Sequence, residues 1–167
     1  MITPPTARLS ATRLTPGDLE ALCAMHRDPV VMATLGGVRS DERTRAYLAE
    51  SLEHWAEHGF GMWIFRDQKT GDFVGRGGLR HVVLDGRSEV EVFYALVRDS
   101  WGKGFATEIA TASLEVAFRG LALRDVVAFT LPGHVGSRRV MEKVGMRYEK
   151  DIVHRDVRCV LYRILAP

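Results

Sequence analysis

Apolar positions change their spacing several times along the chain, and each change marks an element. Arg8 to Leu14 reads as an edge strand. Thr15 then offers an N-cap, Pro16 suits the first helical position, and Asp18 places an acid at a helix start. A helix through Leu19, Leu22, Cys23 and His26 follows, and Asp28-Pro29 opens a short one that ends at Gly36-Gly37. Ser40 and Asp41 begin a longer helix carrying Tyr47, Leu48, Leu52 and Trp55, with Gly59 placed to stop it. The period then switches to that of strands. Met62 to Arg66 and Phe73 to Leu79 flank the turn Thr70-Gly71-Asp72, and Glu89 to Val97 follows the turn Asp85-Gly86. From Phe105 to Arg119 the helical spacing returns, with Ala106, Ile109, Ala110, Ser113, Leu114, Ala117 and Phe118 on one face. Val126 to Leu131 is a buried-type strand, Ser137 to Val144 a short helix closed by Gly145, and strands near Arg147–Val153 and Val157–Ile164 finish the chain.

That order predicts an α/β fold with a mixed, mostly antiparallel central sheet flanked by helices, since only the strand–helix–strand section needs a parallel crossover. No repeat, low-complexity stretch or linker divides the sequence, so residues 1–167 are expected to form a single domain.

Composition narrows the function classes. Hydrophobic residues make up 46% and charged residues 26% of the 167, an ordinary globular balance. The net charge of +2 demands neither nucleic acid nor an anionic membrane as partner. No run of about 18 apolar residues suggests a spanning helix, and Met1 to Pro5 lacks the features of a secretory signal. Cys23 and Cys159 lie far apart, in neither a metal-type nor a redox-type pair. Two reduced core thiols in a cytoplasmic protein are expected.

Chemistry concentrates in Trp101-Gly102-Lys103-Gly104-Phe105-Ala106-Thr107, between a strand and a strongly periodic helix. Glycines let the backbone approach a ligand without Cβ obstruction, and the free N–H groups opening the helix favour an anion such as a pyrophosphate. A plain tight turn accounts for the glycines equally well. Two other phosphate motifs are absent: there is no G-x-x-x-x-G-K-[ST], and Gly75-Arg76-Gly77-Gly78 runs into strand-like residues.

Glu91-Val92-Phe93-Tyr94-Ala95-Leu96 followed by Trp101 to Glu108 resembles the coenzyme A motif of GCN5-related N-acetyltransferases, the GNAT superfamily. The resemblance is narrower still to the branch that acetylates ribosomal-protein N-termini. Ser137-Arg138-Arg139-Val140-Met141-Glu142-Lys143-Val144-Gly145-Met146 is similar to that branch's next motif, and Thr6-Ala7-Arg8-Leu9 and Asp28-Pro29-Val30-Val31-Met32 sit where its members carry like segments. The likeness spans almost the whole chain, in the right order.

It implies a sheet that splays after the Glu91–Val97 strand. The pantetheine arm of acetyl-CoA, the expected cosubstrate, would lie in the opening on backbone groups of Leu96 and Val97. Its pyrophosphate would rest on the N–H groups of Gly102, Lys103, Gly104, Phe105, Ala106 and Thr107, with Trp101 also among the coenzyme-binding residues. The reaction implied is direct acetyl transfer to a primary amine, either a protein N-terminus or a small molecule, without a metal. Monomer and homodimer are both open. Such a reaction must take a proton from the amine and stabilise the oxyanion and the departing thiolate. Glu91 matches the family's acidic strand position and is the candidate base, through a water. Glu89, two residues away on the same face, is the substitute. Both carboxylates are otherwise ordinary strand residues facing solvent. An alternative is a coenzyme-A-binding sensor or scaffold without turnover.

Three positions depart from the family pattern. Trp101 stands where glutamine or arginine is frequent, His134 where asparagine is, and Met141 where many relatives keep a tyrosine acid. Ser137 could face the departing sulfur, or simply cap its helix. His134 could bond the pantetheine arm, donate a proton, or be a loop histidine.

Other signals compete. His54-Trp55-Ala56-Glu57-His58 matches the H-x-x-E-H metalloprotease pattern, but Gly59 follows at once and no third ligand stands out. Phe60, Trp63, Phe65 and Phe73 could form a substrate wall, but their strand spacing favours core or interface packing. Tyr47 and Trp55 either wall an acceptor pocket or form an apolar helix face. Arg138-Arg139 either meets a coenzyme phosphate or is solvated.

Overall fold

A computed structural model describes residues 2–167. Seven strands, β1 (Leu9–Arg13), β2 (Met62–Asp67), β3 (Phe73–Leu84), β4 (Arg87–Leu96), β5 (Asp125–Thr130), β6 (Arg147–His154) and β7 (Val157–Leu165), form one sheet in the order β1-β2-β3-β4-β5-β7-β6. The helices are α1 (Leu19–Arg27), α2 (Pro29–Met32), α3 (Asp41–His58), α4 (Phe105–Glu115) and α5 (Val135–Lys143). Every strand pair is antiparallel except β4–β5. The predicted α/β architecture and its single parallel crossover are therefore those of the folded chain.

Local chemistry accounts for most boundaries. The Asp18 carboxylate reaches back to the Thr15 N–H at 2.8 Å and opens a 3-10 turn that leads into α1. Ser40 accepts from the Arg43 N–H at the start of α3, and Gly59, at φ 73°, closes it. Three expectations shift. First, β3 runs on to Leu84 instead of ending at Leu79. The reason is the two-residue turn Asp85-Gly86, both with positive φ, which lets Leu84 pair directly with Arg87. Second, α5 begins at Val135 with His134 as its N-cap, so Ser137 lies inside the first turn and is not the cap. Third, the α4 rod widens into a π-turn over Val116–Gly120, where the Leu121 N–H reaches back to the Val116 carbonyl.

The two faces of the β3–β4 ribbon carry different neighbours. Gly77 lies against Ile109 of α4, where a Cβ would come within 2.7 Å of that side chain. On the opposite face Ala95 packs with Met25, Val31 and Met32 from α1 and α2. Strand alternation puts Arg76, Arg80, Glu91 and Phe93 on the α1–α3 face, and Tyr94 on the α4 face. Trp63, Phe65, Leu79, Ile109 and Tyr162 fill the main core. Trp55 belongs to it too: it is 4% exposed, donates its indole N–H to the Met62 carbonyl and meets Trp63 edge-on. This helix position is therefore core and not a pocket wall, as are Phe60, Trp63 and Phe65.

Candidate active site

β4 and β5 pair at one position, Glu91 opposite Val127. Beyond it β4 continues against β3 as far as Leu96, while β5 turns its other edge to β7. The β4 edge toward β5 is thus left without a partner strand after Glu91. The Val97 N–H bonds the Val74 carbonyl on the β3 side, so alternation turns the N–H and C=O of Leu96 toward the opened side. There the indole of Trp101 takes the Leu96 carbonyl at 2.9 Å. Val97 already has partners for both of its backbone groups. Its N–H is spent on Val74 and its carbonyl on the Ser100 N–H, so the Leu96 N–H is the better placed donor for a ligand arm.

The glycine loop lies next to this opening. Gly102 (φ 71°) and Gly104 (φ 79°) hold left-handed conformations, and a Cβ at Gly102 would meet only open space. The first bond of α4 runs from the Glu108 N–H to the Gly104 carbonyl, and no side chain caps the helix. The N–H groups of residues 102–107 are consequently free to converge on an anion. Arg8 fastens this loop. Its Nε bonds Glu108 at 2.8 Å, its Nη1 bonds the Lys103 carbonyl, and its guanidinium lies over the Phe105 ring. Half of the Arg8 side chain stays accessible beside the N–H groups. Arg8 was legible only as part of a segment shared with the family, because its partners are about a hundred residues away.

Residues 8–147 match the model of the Acetyltransferase (GNAT) domain. The chain belongs to the GNAT acetyltransferase family. Among curated relatives, the uncharacterized N-acetyltransferase YnaD of Bacillus subtilis is 36% identical over 148 residues, covering 86% of this chain and 82% of that protein. An acetyltransferase from Agrobacterium tumefaciens superposes with a TM-score of 0.85 at 26% identity, over 98% of this chain and 94% of that one. The ribosomal-protein-S5-alanine acetyltransferase from Vibrio fischeri shares the fold, at TM-score 0.78 and 15% identity over 99% and 97% of the two chains. So does the spermidine N-acetyltransferase from Vibrio cholerae in complex with CoA and spermine, at 0.74 and 16% over 95% of each.

The acyltransferase's remaining candidates divide between the two faces of the sheet. Glu91, 3% exposed, lies on the α1–α3 face, where Arg80 holds both its oxygens at 2.8 and 3.4 Å. Desolvation works against the charge on Arg80, but the Glu91 carboxylate outweighs it and raises the Arg80 pKa. Glu89 is committed elsewhere. Arg163 clamps it through two bonds and also bonds Asp125 and Glu149, and that hydrogen bonding holds the Glu89 carboxyl below the usual range. As a substitute base Glu89 is poorly placed.

On the α4 face, across the opening, the Tyr94 hydroxyl lies 3.1 Å from both the Ser137 carbonyl and its Oγ. Burial pushes the Tyr94 phenol up to about 12. The sequence contains Tyr94 inside the motif but gives no sign of this pairing, which depends on α5 reaching β4. Met141, at the family's tyrosine position, is 2% exposed core. His134 accepts from the Ser137 N–H at 3.5 Å as a helix cap, and burial lowers its pKa, so at neutral pH it is uncharged. Arg138 is spent on the Tyr162 hydroxyl and the Pro132 carbonyl, leaving Arg139 exposed.

The H-x-x-E-H residues form a joint. His54 uses both ring nitrogens, Nδ1 with the Phe60 carbonyl and Nε2 accepting the His81 N–H, so it tethers the end of α3 to β3. Glu57 points to solvent beside His58, and no group of three metal-ligating side chains gathers among the described residues.

Proposed function

We propose that this enzyme transfers the acetyl group of acetyl-CoA directly to a primary amine. The observation that carries the reading is the opening between β4 and β5, bordered by the unpaired N–H groups of residues 102–107. A strand edge with free backbone groups suits the amide-bearing pantetheine arm. The glycine loop and Arg8 suit the diphosphate. Acetyl-CoA supplies an activated thioester.

The chain's own groups then divide the work. Glu91, through a water, takes the proton that the ammonium must lose before its nitrogen can attack. The N–C bond forms as the C–S bond breaks, and the electron pair leaves on sulfur. Ser137 and Tyr94 face that departure. Proton donation from Tyr94, at about 12, to a thiolate whose conjugate acid sits near 8.5 would be uphill by about 5 kcal/mol. Tyr94 therefore acts as a positioning residue whose hydroxyl, held between the Ser137 carbonyl and Oγ, keeps the serine facing the sulfur, and the thiolate needs no strong acid. The buried, unbridged Cys23 and Cys159 suit a reducing compartment such as the cytoplasm.

Thiol release from acetyl-CoA, measured with a panel of amines and peptides, tests the reading. Release that depends on the amine, with an acetylated product of the expected mass, is the expected result. Tight acetyl-CoA binding with no turnover on any acceptor would instead make the protein a coenzyme A sensor.

A further inference from the structure

On the α1–α3 face, next to Glu91, two guanidiniums lie against a single tyrosine. Arg39 sits 4.8 Å and Arg76 4.9 Å from the Tyr47 ring centre. Arg80 completes the cluster and is spent on Glu91. We propose that the acceptor amine carries a carboxylate, which Arg39, Arg76 and the Tyr47 hydroxyl bind while the amine faces Glu91. The inference rests on the acetyl-transfer reading and names its substrate class.

The charge balance of this volume is the first argument. Arg76 is only 4% exposed, yet neither it nor Arg39 has a carboxylate partner among the described residues. The Arg76 Nε donates to His26 Nε2 at 3.2 Å, and the other His26 nitrogen lies 2.9 Å from Thr44 Oγ1. Since Nε2 accepts, the imidazole is neutral and adds no negative charge. Arg39 donates to the Leu35 carbonyl at 3.4 Å and otherwise meets Tyr47. A buried arginine without a counter-ion is costly, and folds ordinarily supply one. Desolvation lowers the pKa of both guanidiniums, the expected signature of a charge awaiting its partner.

The Tyr47 hydroxyl is buried beside the Arg39 and Arg80 guanidiniums, which only donate, and no acceptor takes its proton. A buried phenol with no acceptor for its proton is rare in a folded interior, and here its neighbours are arginines. A carboxylate offers acceptors for all three groups at once.

Position gives the third. Arg76, Arg80 and Glu91 share one face of the β3–β4 ribbon, whereas Tyr94 and Ser137 lie on the other. An acceptor that reaches Glu91 from the α1–α3 side passes the arginines. Arg39, Tyr47 and Arg80 keep accessible surface there, and Arg76 lies beneath them. A polycation, such as the spermine bound by the Vibrio cholerae neighbour, would meet like charge.

Steady-state acetylation with matched acceptors decides the matter: a free amino acid against its amide, a peptide amide beginning with aspartate against one beginning with alanine, and spermidine. The carboxylated members are expected to lead by about 10- to 100-fold in kcat/KM. Preference for the amino acid points to a small-molecule acceptor, and preference for the aspartyl peptide to a protein one. Arg39→Gln, a change at the accessible rim, is expected to raise the acceptor KM by a similar factor. Amides or spermidine used as well as the acids would overturn the proposal. Calorimetric titration of the coenzyme-A-bound protein with the same amino acid and its amide separates this failure from that of the parent reading. Carboxylate-dependent binding that Arg39→Gln abolishes, without turnover, would retain the pocket and sink the transferase. Equal or absent binding of acid and amide would sink the pocket.

Discussion

At the residue scale, the site assigns unequal duties to chemically similar groups. Glu89 and Glu91 share a strand face, but Arg163 locks the first into a four-residue ion cluster and Arg80 presents the second beside the opening. Glu91→Gln keeps the size and a hydrogen-bonding oxygen for Arg80 but cannot take a proton. It is expected to lower kcat by about 100- to 1,000-fold, within the range for general-base loss, with acetyl-CoA affinity little changed. Rates from thiol release, set beside a calorimetric dissociation constant, check both halves. Tyr94→Phe removes the hydroxyl that touches Ser137. Under the proposed orienting role, kcat should fall only about tenfold. A loss of a thousandfold would make Tyr94 the acid.

At the element scale, the start of α4 depends on backbone geometry more than on side chains. Gly104 sits at φ 79°, and a Cβ there would lie 3.3 Å from the Arg8 guanidinium. Gly104→Val combines a β-branched residue in a left-handed conformation, costing at least about 1–2 kcal/mol, with crowding of the cradle. The expected outcome is a coenzyme A dissociation constant raised tenfold or more while the circular dichroism spectrum is unchanged. Unaltered affinity in a folded variant would remove the loop from the binding site. The glycine pair and the helix after it were plain in the sequence because their signals are local: glycine spacing, then a 3.6-residue period. The Arg8 clasp and the Tyr94–Ser137 contact were not, since each joins elements separated by dozens of residues. His134 illustrates the boundary between the two. The sequence marked it as a departure at the start of the α5 region, but only the folded turn shows it capping the helix.

At the scale of the whole molecule, α1, α3 and β3 meet around a neutral histidine. Burial pulls the His26 pKa from 6.5 down to about 3, with Arg76 and Arg39 adding to the effect. The unfolded chain therefore takes up a proton below pH 6.5 that the native state refuses. The contribution is intact above that pH and declines toward pH 3, by up to about 1.4 kcal/mol per unit. His26→Gln retains an acceptor for Arg76 and removes the titration. Urea unfolding at pH 7 and pH 5 should show a smaller acid-induced loss of stability in the variant than in the parent. Equal losses would assign the acid sensitivity to other groups.

The chain order of its elements, the parallel crossover and the glycine cradle were determined by the sequence alone, because periodicity, caps and turn residues act between near neighbours. The family motifs added an expectation of where coenzyme A would lie. Only the tertiary structure decided which backbone groups remain free. It closed Val97 by pairing it to Val74 and Ser100, and turned Leu96 toward the gap. It also decided which charges go unanswered, since Arg39 and Arg76 are distant in sequence and become neighbours only when α3 folds over β3. Burial and partnership are properties of the packed chain, and the proposed acceptor chemistry rests on both.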